Sequence, residues 1–338
     1  HPVPRRSFPG VSSALAKAGT ITRCDPAAFR AGEISPLGRD DDGTVLVIGV
    51  FDGMHIGHRA IFAQARERAR ELGLPLVAVT FDRDPDEIFR ADDPTFGKLL
   101  SNDERLAMIA EQAEGGVLNL VTSPELFSMP PSEFLDFLGS ATNPRVIFTG
   151  SDFRFGAHAS GTVEDLGRWS LDHGCESVSC ELIEENGEVI SSTRIRAELR
   201  EGAVAQAKRL LAGRPHSIVG IIVHGRGAGD DFGFATANLD LANCETMLPR
   251  EGVYGAYGIV DGARYAAAVN VGVARSFAEA TAPVEAHLLD FDDDLYGKDI
   301  RIEFEEWLRG PRVFETKDEL IETVMGNIEW VREHLGGK

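Results

Sequence analysis

The run Val45-Leu-Val-Ile-Gly-Val-Phe-Asp-Gly-Met-His-Ile-Gly-His58 constrains the fold more than any other stretch of the chain. Its first six residues are almost all apolar, the pattern of a strand covered on both faces of a parallel sheet. Phe51-Asp52-Gly53 then breaks the strand and delivers His55 and His58 to the start of a helix. Gly53 and Gly57 permit a sharp turn and close approach of a ligand to the backbone. In the helix that follows, His58, Ile61, Phe62, Ala65, Ala69 and Leu72 fall near one face, with Arg and Glu opposite. A helix N-terminus offers unpaired N–H groups and a positive dipole end, a seat for phosphate to which histidines can donate. An isolated His-x-x-His pair is often an idle surface pair; the strand–turn–helix context is the one that phosphate chemistry requires.

From residue 45 the pattern alternates strand and helix. Strands are expected at Pro75–Phe81, Val117–Val121 and Arg145–Thr149, and helices at Asn102–Gln112 and, after Pro130-Pro131, at Ser132–Leu138. Such alternation implies an open parallel sheet with helices on both faces, and ligands beyond the carboxyl ends of its strands. His55, Asp82 and Asp152 all fall at those ends. Two helices, about 193–200 and 203–212, close this half, and Gly213-Arg-Pro215 reads as a linker. The period then changes. Short strands at Ser217–His224, Gly252–Val260, Tyr265–Val271, Val284–Phe291 and Ile300–Glu305 imply a small antiparallel barrel or sandwich, followed by an amphipathic helix over Lys317–His334.

A chain of 338 residues accommodates two domains. The expected division is 1–43, 44–213 and 214–338. The first stretch opens His1-Pro-Val-Pro-Arg-Arg without an initiator Met or an apolar signal core. It reads as an N-terminal extension, an expression remnant or a disordered arm. No apolar run approaches the length of a membrane helix. The four cysteines show no Cys-x-x-Cys spacing, so neither a zinc site nor a disulfide framework is indicated; free thiols in the cytoplasm are expected. The net charge of −20 argues against nucleic acid or an anionic membrane as partner, while leaving room for a small anion in a locally basic site.

Other segments carry chemistry with an ordinary structural role open beside it. Ser191-Ser-Thr-Arg-Ile-Arg196 places hydroxyls at a helix start and two arginines near one another: a phosphate grip, or an N-cap with solvated arginines. Phe153 and Phe155 in Gly150-Ser-Asp-Phe-Arg-Phe-Gly156 could flank a planar ligand or be core residues of a turn. Gly225, Gly227 and Gly229 stand in a loop able to wrap phosphate, or in a bare Gly-rich hairpin; no Gly-Lys-Ser/Thr follows to make it a Walker loop. Thr236 and Asn238, two residues apart, suit a hard cation such as Mg²⁺, or form an unliganded strand end. Glu285 lies mid-strand, an awkward place for a carboxylate unless it works or is paired. The Asp290–Asp294 cluster lacks the Gly and distal Glu of a calcium loop and reads as a solvated hairpin turn.

From about residue 44 onward the chain resembles the bacterial bifunctional riboflavin kinase/FAD synthetases. The elements are Gly49–His58, Asp152-Phe-Arg-Phe-Gly156, Ser191–Arg196, Gly213-Arg-Pro215, the 225–229 loop, Thr236-Ala-Asn238, Gly252-Val-Tyr254, Glu285 and Asp294-Leu-Tyr-Gly297. The resemblance implies an α/β fold: an N-terminal Rossmann-like HxGH nucleotidyltransferase domain and a C-terminal antiparallel β-barrel kinase domain with a terminal helix. It implies ATP-dependent phosphorylation of riboflavin to FMN, then adenylylation of FMN to FAD with release of pyrophosphate. Carried onto this chain, it makes Glu285 the base for the ribityl hydroxyl, with Thr236 and Asn238 holding Mg²⁺. His55 and His58, with Arg196, become the catalytic groups of adenylyl transfer. Gly49, Phe51, Gly53, Gly57, Ser192, Thr193, Gly225, Gly227 and Gly229 become nucleotide-binding, and Asp82, Asp152, Phe153 and Phe155 flavin-binding. Its expected partners are riboflavin, FMN and ATP, in a monomer or weak homo-oligomer, with no nucleic acid and no membrane.

The chain departs from the family pattern at three places. Phe81-Asp-Arg-Asp-Pro85 replaces Phe-Asp-Pro-His-Pro, and a carboxylate at Asp84 would repel a flavin phosphate. Ala235 replaces a proline before Thr236, and Ala274-Arg-Ser-Phe277 replaces Asn-Pro-Thr-Phe. These departures motivate the alternatives: a divergent paralogue with one activity lost or another acceptor, or a flavin-binding or regulatory protein without turnover.

Overall fold

The computed structural model describes residues 18–37, 42–93, 96–223, 237–272, 283–291 and 295–336. The chain divides into two compact units, one running to Ser192 and the other beginning at Thr193.

The first unit contains strands β1 (Ile21–Cys24), β2 (Thr44–Ile48), β3 (Leu76–Phe81), β4 (Gly116–Leu120), β5 (Pro144–Gly150) and β6 (Glu176–Cys180). Among the described residues they form one sheet in the order β1-β4-β3-β2-β5-β6, parallel throughout. The continuous apolar strands follow from this arrangement, because each face of the sheet has its own core. Leu46, Ile48, Val77 and Val79 pack with Phe134 and Leu138 on one side. Val45, Val47, Leu76 and Ala78 pack with Phe62, Ala65 and Ile109 on the other. Alternate side chains of a strand go to opposite faces, so both must be apolar.

The helices are α1 (Pro26–Arg30), α2 (Ile56–Leu72), α3 (Pro85–Phe89), α4 (Asn102–Gln112), α5 (Pro124–Ser128), α6 (Pro131–Thr142) and α7 (Val163–Asp172). Their ends follow local chemistry. Ser101 and Glu104 form a capping box at the start of α4, and Thr162 and Asp165 do the same for α7. Helix α2 stops at Gly73, whose φ of 67° suits a residue without Cβ. The sheet begins earlier than the sequence reading places it. Strand β1 lies within the stretch expected as an extension, yet pairs with β4 from Ile21↔Val117 to Cys24↔Leu120 and buries Cys24. A two-stranded hairpin, β7 (Glu184–Glu185) and β8 (Glu188–Val189), closes this unit.

Helix α8 (Ser192–Glu201) carries the chain into the second unit and is followed by α9 (Val204–Leu210). By contacts the division falls at the first residue of α8, whereas the sequence reading places it after residue 213. Lys208 of α9 pairs with Glu305 at 2.5 Å, and the Arg250 N–H donates to the Leu199 carbonyl at 2.9 Å. The remaining strands are β9 (Ser217–Val223), β10 (Ala237–Asp240), β11 (Gly252–Val260), β12 (Ala263–Val271), β13 (Val284–Leu288) and β14 (Asp299–Arg309). They close into an antiparallel barrel in the order β10-β13-β12-β11-β14-β9. Closure leaves no free sheet edge. Helix α10 (Lys317–Leu335) packs Ile328, Val331 and Leu335 against Tyr257 and Leu289 outside the barrel.

Candidate active sites

In the first unit, the chain leaves β2 through a turn with three left-handed residues in four: Phe51 (φ 61°), Gly53 (φ 83°) and Met54 (φ 44°). Such conformations in non-glycine residues cost about 1–3 kcal/mol each and persist only where the surroundings dictate them. The left-handed Phe51 turns its ring back over Gly49, where a Cβ would lie 2.8 Å from ring atoms. That ring is 2 % exposed and packs edge-on to His58 at 5.4 Å, so Phe51 supports the histidine from behind.

His55 is the N-cap of α2. Its Nδ1 accepts the His58 backbone N–H at 3.3 Å, which leaves the ring proton on Nε2. Its imidazole stacks on that of His58, with centroids 3.6 Å apart and planes 21° apart. Gly57 makes room for this: a Cβ there would stand 3.1 Å from His55 Cε1. Burial, and secondarily the neighbouring His55, hold His58 well below the ordinary histidine pKa, so the ring is neutral. Its buried Nδ1 has no hydrogen-bond partner among the described residues. A desolvated ring nitrogen at a helix N-terminus is suited to a ligand that brings its own charge.

The turn is held from the segment that leads into α4. The Asp52 carboxylate accepts the Leu99 and Leu100 N–H groups at 3.2 Å, and its main-chain carbonyl accepts the Ser192 hydroxyl at 2.8 Å. Ser192 is thus joined to the histidine turn through its side chain. Thr193 is exposed and Arg196 is buried one turn further along α8.

Beyond β3, Asp82 is committed within the fold. Its carboxylate accepts the Thr122 N–H at 2.9 Å, the Thr122 hydroxyl at 2.7 Å and Arg23 at 3.2 Å. Burial alone would raise its pKa; the bonds from Thr122 and Arg23 outweigh that and hold it below the ordinary range. Asp84 is 6 % exposed and caps α3 by accepting the Asp86 N–H at 2.9 Å. Burial first, then the charge of Asp52, push its carboxyl up to about 6. Arg83 is exposed and pairs with Glu87 at 3.3 Å. Asp152 is exposed. Phe155 lies in the core and Phe153 stacks on it at 5.5 Å, so the two rings hold each other and no ligand-sized gap separates them. A different aromatic pair, Phe89 on α3 and Phe127 on α5, meets edge to face at 4.8 Å beyond the carboxyl ends of β3 and β4. Phe89 is 65 % exposed, and nothing in the local sequence singles it out.

In the barrel, Asn238 on β10 stands opposite Glu285 on β13, which stands opposite Asn270 on β12. Directly paired residues share a face, so the three form a polar row across the barrel wall. Burial raises the Glu285 pKa above the ordinary carboxylate value. Asn270, which the sequence reading passes over, donates from Nδ2 to the Gly272 carbonyl at 3.2 Å. Asn238 is buried, and its amide oxygen is a hard neutral donor of the kind Mg²⁺ takes. Among the described residues no cluster of three or more His, Cys, Asp or Glu could hold a metal. Gly225, Gly227, Gly229, Thr236, Asp294 and the departures at Ala235 and Ala274–Phe277 lie outside the described residues.

Comparison with known proteins follows the same division. The FAD synthetase family model matches residues 38–194, and the riboflavin kinase model matches residues 212–335. A bifunctional riboflavin kinase/FMN adenylyltransferase of Bacillus subtilis is 33 % identical over 285 residues, covering 83 % of this chain and 89 % of its own. One of the same description from Pseudomonas fluorescens is 33 % identical over 298 residues, covering 86 % and 92 %. A crystal structure from Streptococcus pneumoniae described as a macrolide-efflux protein superposes with a TM-score of 0.77 at 29 % identity, covering 93 % of this chain and all of that one. That description concerns that protein. Among the described residues here, no helix is long and apolar enough to cross a membrane.

Proposed function

The chain belongs to the bifunctional riboflavin kinase/FMN adenylyltransferase family, and from that premise we propose how its residues carry the two reactions. It is an ATP-dependent transferase that phosphorylates riboflavin to FMN and adenylylates FMN to FAD with release of pyrophosphate. Residues 44–213 serve the adenylyl transfer and residues 214–338 the kinase.

In the kinase step, Glu285 accepts the proton of the ribityl 5′-hydroxyl as that oxygen attacks the γ-phosphorus of ATP. Its raised pKa supports this role, since a carboxylate with higher proton affinity is a better base. Thr236 and Asn238 would hold Mg²⁺, which when bound neutralises phosphate charge. Gly225, Gly227 and Gly229 wrap the ATP phosphates through backbone N–H groups.

In the adenylyl step, the FMN phosphate attacks the α-phosphorus of ATP. His55 donates through Nε2–H and His58 through a ring that gains its charge as the triphosphate arrives. Both stabilise charge on the transferring group, which is where phosphoryl-type catalysis chiefly lies. The Ser192 hydroxyl donates to the Asp52 carbonyl, so Ser192 acts by bracing the histidine turn, while Thr193 and Arg196 hold the pyrophosphate end. Asp152 borders the flavin. Phe153 and Phe155 shape its floor and Phe89 with Phe127 offers it an aromatic edge.

The observation that carries the reading is the stacked His55–His58 pair in the half matched by FAD synthetase, with His55 Nδ1 accepting the His58 backbone N–H and the buried His58 Nδ1 without a partner among the described residues. The test is incubation of the purified full chain with riboflavin, ATP and Mg²⁺, with products separated by chromatography. FMN should appear first and FAD after it. Absence of both, with flavin still bound, would overturn the reading. The Asp84 departure favours a second reading in which the adenylyl acceptor differs from FMN; pyrophosphate release across a panel of phosphorylated acceptors separates the two. We place the protein in the cytoplasm as a monomer or weak homo-oligomer, and its charge of −20 supports small-molecule partners over nucleic acid.

A further inference from the structure

Arg105 is 1 % exposed, lies on α4 and, among the described residues, is hydrogen-bonded to no carboxylate. A fully buried guanidinium is costly unless its donors are matched. Its Nη1 donates to the Val50 carbonyl and the Thr80 hydroxyl, each at 2.8 Å. Its Nη2 donates to the Phe81 carbonyl at 2.6 Å and to Asn102 Oδ1 at 3.3 Å. Thr80 and Phe81 lie on β3, Val50 follows the end of β2, and Asn102 lies on α4 itself, so the fork reaches the ends of the two strands that lead to the proposed adenylyl-transfer site. Regular pairing of β2 with β3 runs to Ile48↔Val79, and a last bond joins the Gly49 N–H to the Val79 carbonyl at 3.1 Å. Beyond that the strands part: β2 enters the histidine turn and β3 leads to Asp82 and Asp84. Where the ladder stops, the Arg105 fork joins Val50 to Phe81 in its place.

Resting on the functional reading above, we propose that Arg105 is a positioning residue for adenylyl transfer, keeping the histidine turn in register with the acceptor-side end of β3. The turn it holds contains the left-handed Phe51 and Met54, a geometry that relaxes if its supports loosen. The same segment grips the turn a second time through the Leu99 and Leu100 N–H groups on Asp52. Val50 is thus fixed before the turn and Asp52 within it. Any slip of Val50 against Phe81 alters the distance between the α-phosphorus held at His55 and the acceptor phosphate beyond β3. Only a planar fork with several fixed donors can span both carbonyls; an ammonium on a flexible stem cannot.

The test uses the full chain carrying Arg105→Lys or Arg105→Met. FAD formation from FMN, FMN formation from riboflavin and the stoichiometry of binding of a non-hydrolysable ATP analogue, with the barrel's own ATP site subtracted, are measured on each preparation. The expected result for Arg105→Lys is a fall of roughly 10- to 100-fold in adenylyl-transfer kcat per nucleotide-binding site. The kinase rate should be unchanged and the KM for ATP little altered. A purely structural arginine would reduce the number of binding-competent sites and leave kcat per site at the wild-type value; that result overturns the inference. Should Arg105→Met fail to fold, the Lys variant decides. Wild-type protein that forms no FAD from FMN defeats the functional reading itself, and the inference with it.

Discussion

The imidazole of His55 lies on that of His58, 3.6 Å between centroids, while His55 Nδ1 accepts the His58 backbone N–H. Burial first, and then the neighbouring ring, keep His58 neutral, and an arriving polyphosphate supplies the opposing charge that favours a proton there. In the proposed mechanism, replacing His58 removes one stabilising donor, worth about 3–4 kcal/mol. His58→Gln is therefore expected to slow FAD formation from FMN by roughly 10²- to 10³-fold. FMN formation by the barrel should not change. Both rates are read by chromatography from one preparation, so misfolding would show as a shared loss.

Asp84 gives a stability prediction with a definite sign. Its carboxyl is raised from 3.8 to about 6 in the folded chain, so between those values the folded state holds a proton that the unfolded state has released. Stability is therefore lost as pH rises through this window and the cost is complete above it. Asp84→Asn keeps a capping side chain on α3 and removes the charge. The variant should match the wild type near the bottom of the window and exceed it at neutral pH by up to about 3 kcal/mol. Urea unfolding at several pH values checks this; a constant difference between the two proteins would exclude it.

Much of the first unit was legible because its strands are buried on both faces and read as unbroken apolar runs. Helix α4 matches its expected span because the Ser101–Glu104 capping box marks its start. Strands β1 and β6 were not legible: each lies at an edge, and Glu176, Ser177 and Ser179 in β6 break any apolar pattern. Arg105 was missed because a charge on an amphipathic helix normally faces water. The available signal was its position four residues before Ile109, on the buried side of α4. The Phe89–Phe127 pair was out of reach, since two short helices after different strands bring it together. For Phe155 the sequence left a ligand wall and a core residue both open, and the packing makes it core.

Gly57 offers a steric test of the histidine geometry. It sits in helical backbone, so alanine there carries no conformational penalty and improves helix propensity. The new Cβ would stand 3.1 Å and 3.2 Å from His55 Cε1 and Nδ1, tighter than most such contacts, and the ring must give by a few tenths of an ångström. Gly57→Ala should thus leave the melting temperature unchanged or slightly higher while FAD formation drops about tenfold or more. Thermal melts alongside adenylyl-transfer assays separate the two effects; equal activity at equal stability would show that the His55 ring position does not matter.

The proposed role of Glu285 ties proton transfer to the stability of the barrel. Burial raises its pKa, so the folded state disfavours the charged form and loses stability as pH rises from the unfolded value through the folded one. Glu285→Gln removes that charge with little change in shape. The variant should be at least as stable as the wild type at neutral pH and should lose riboflavin phosphorylation by about 10²-fold or more, the scale of a general base. Adenylylation of added FMN should persist, because the histidine site lies in the other unit. The wild-type kinase rate should also fall on acidification with an apparent pKa above that of an ordinary glutamate, and the residual rate of the variant should not show that limb. A variant that keeps the kinase rate and the limb would remove Glu285 from the proton transfer and turn attention to the remainder of the polar row, Asn238 and Asn270.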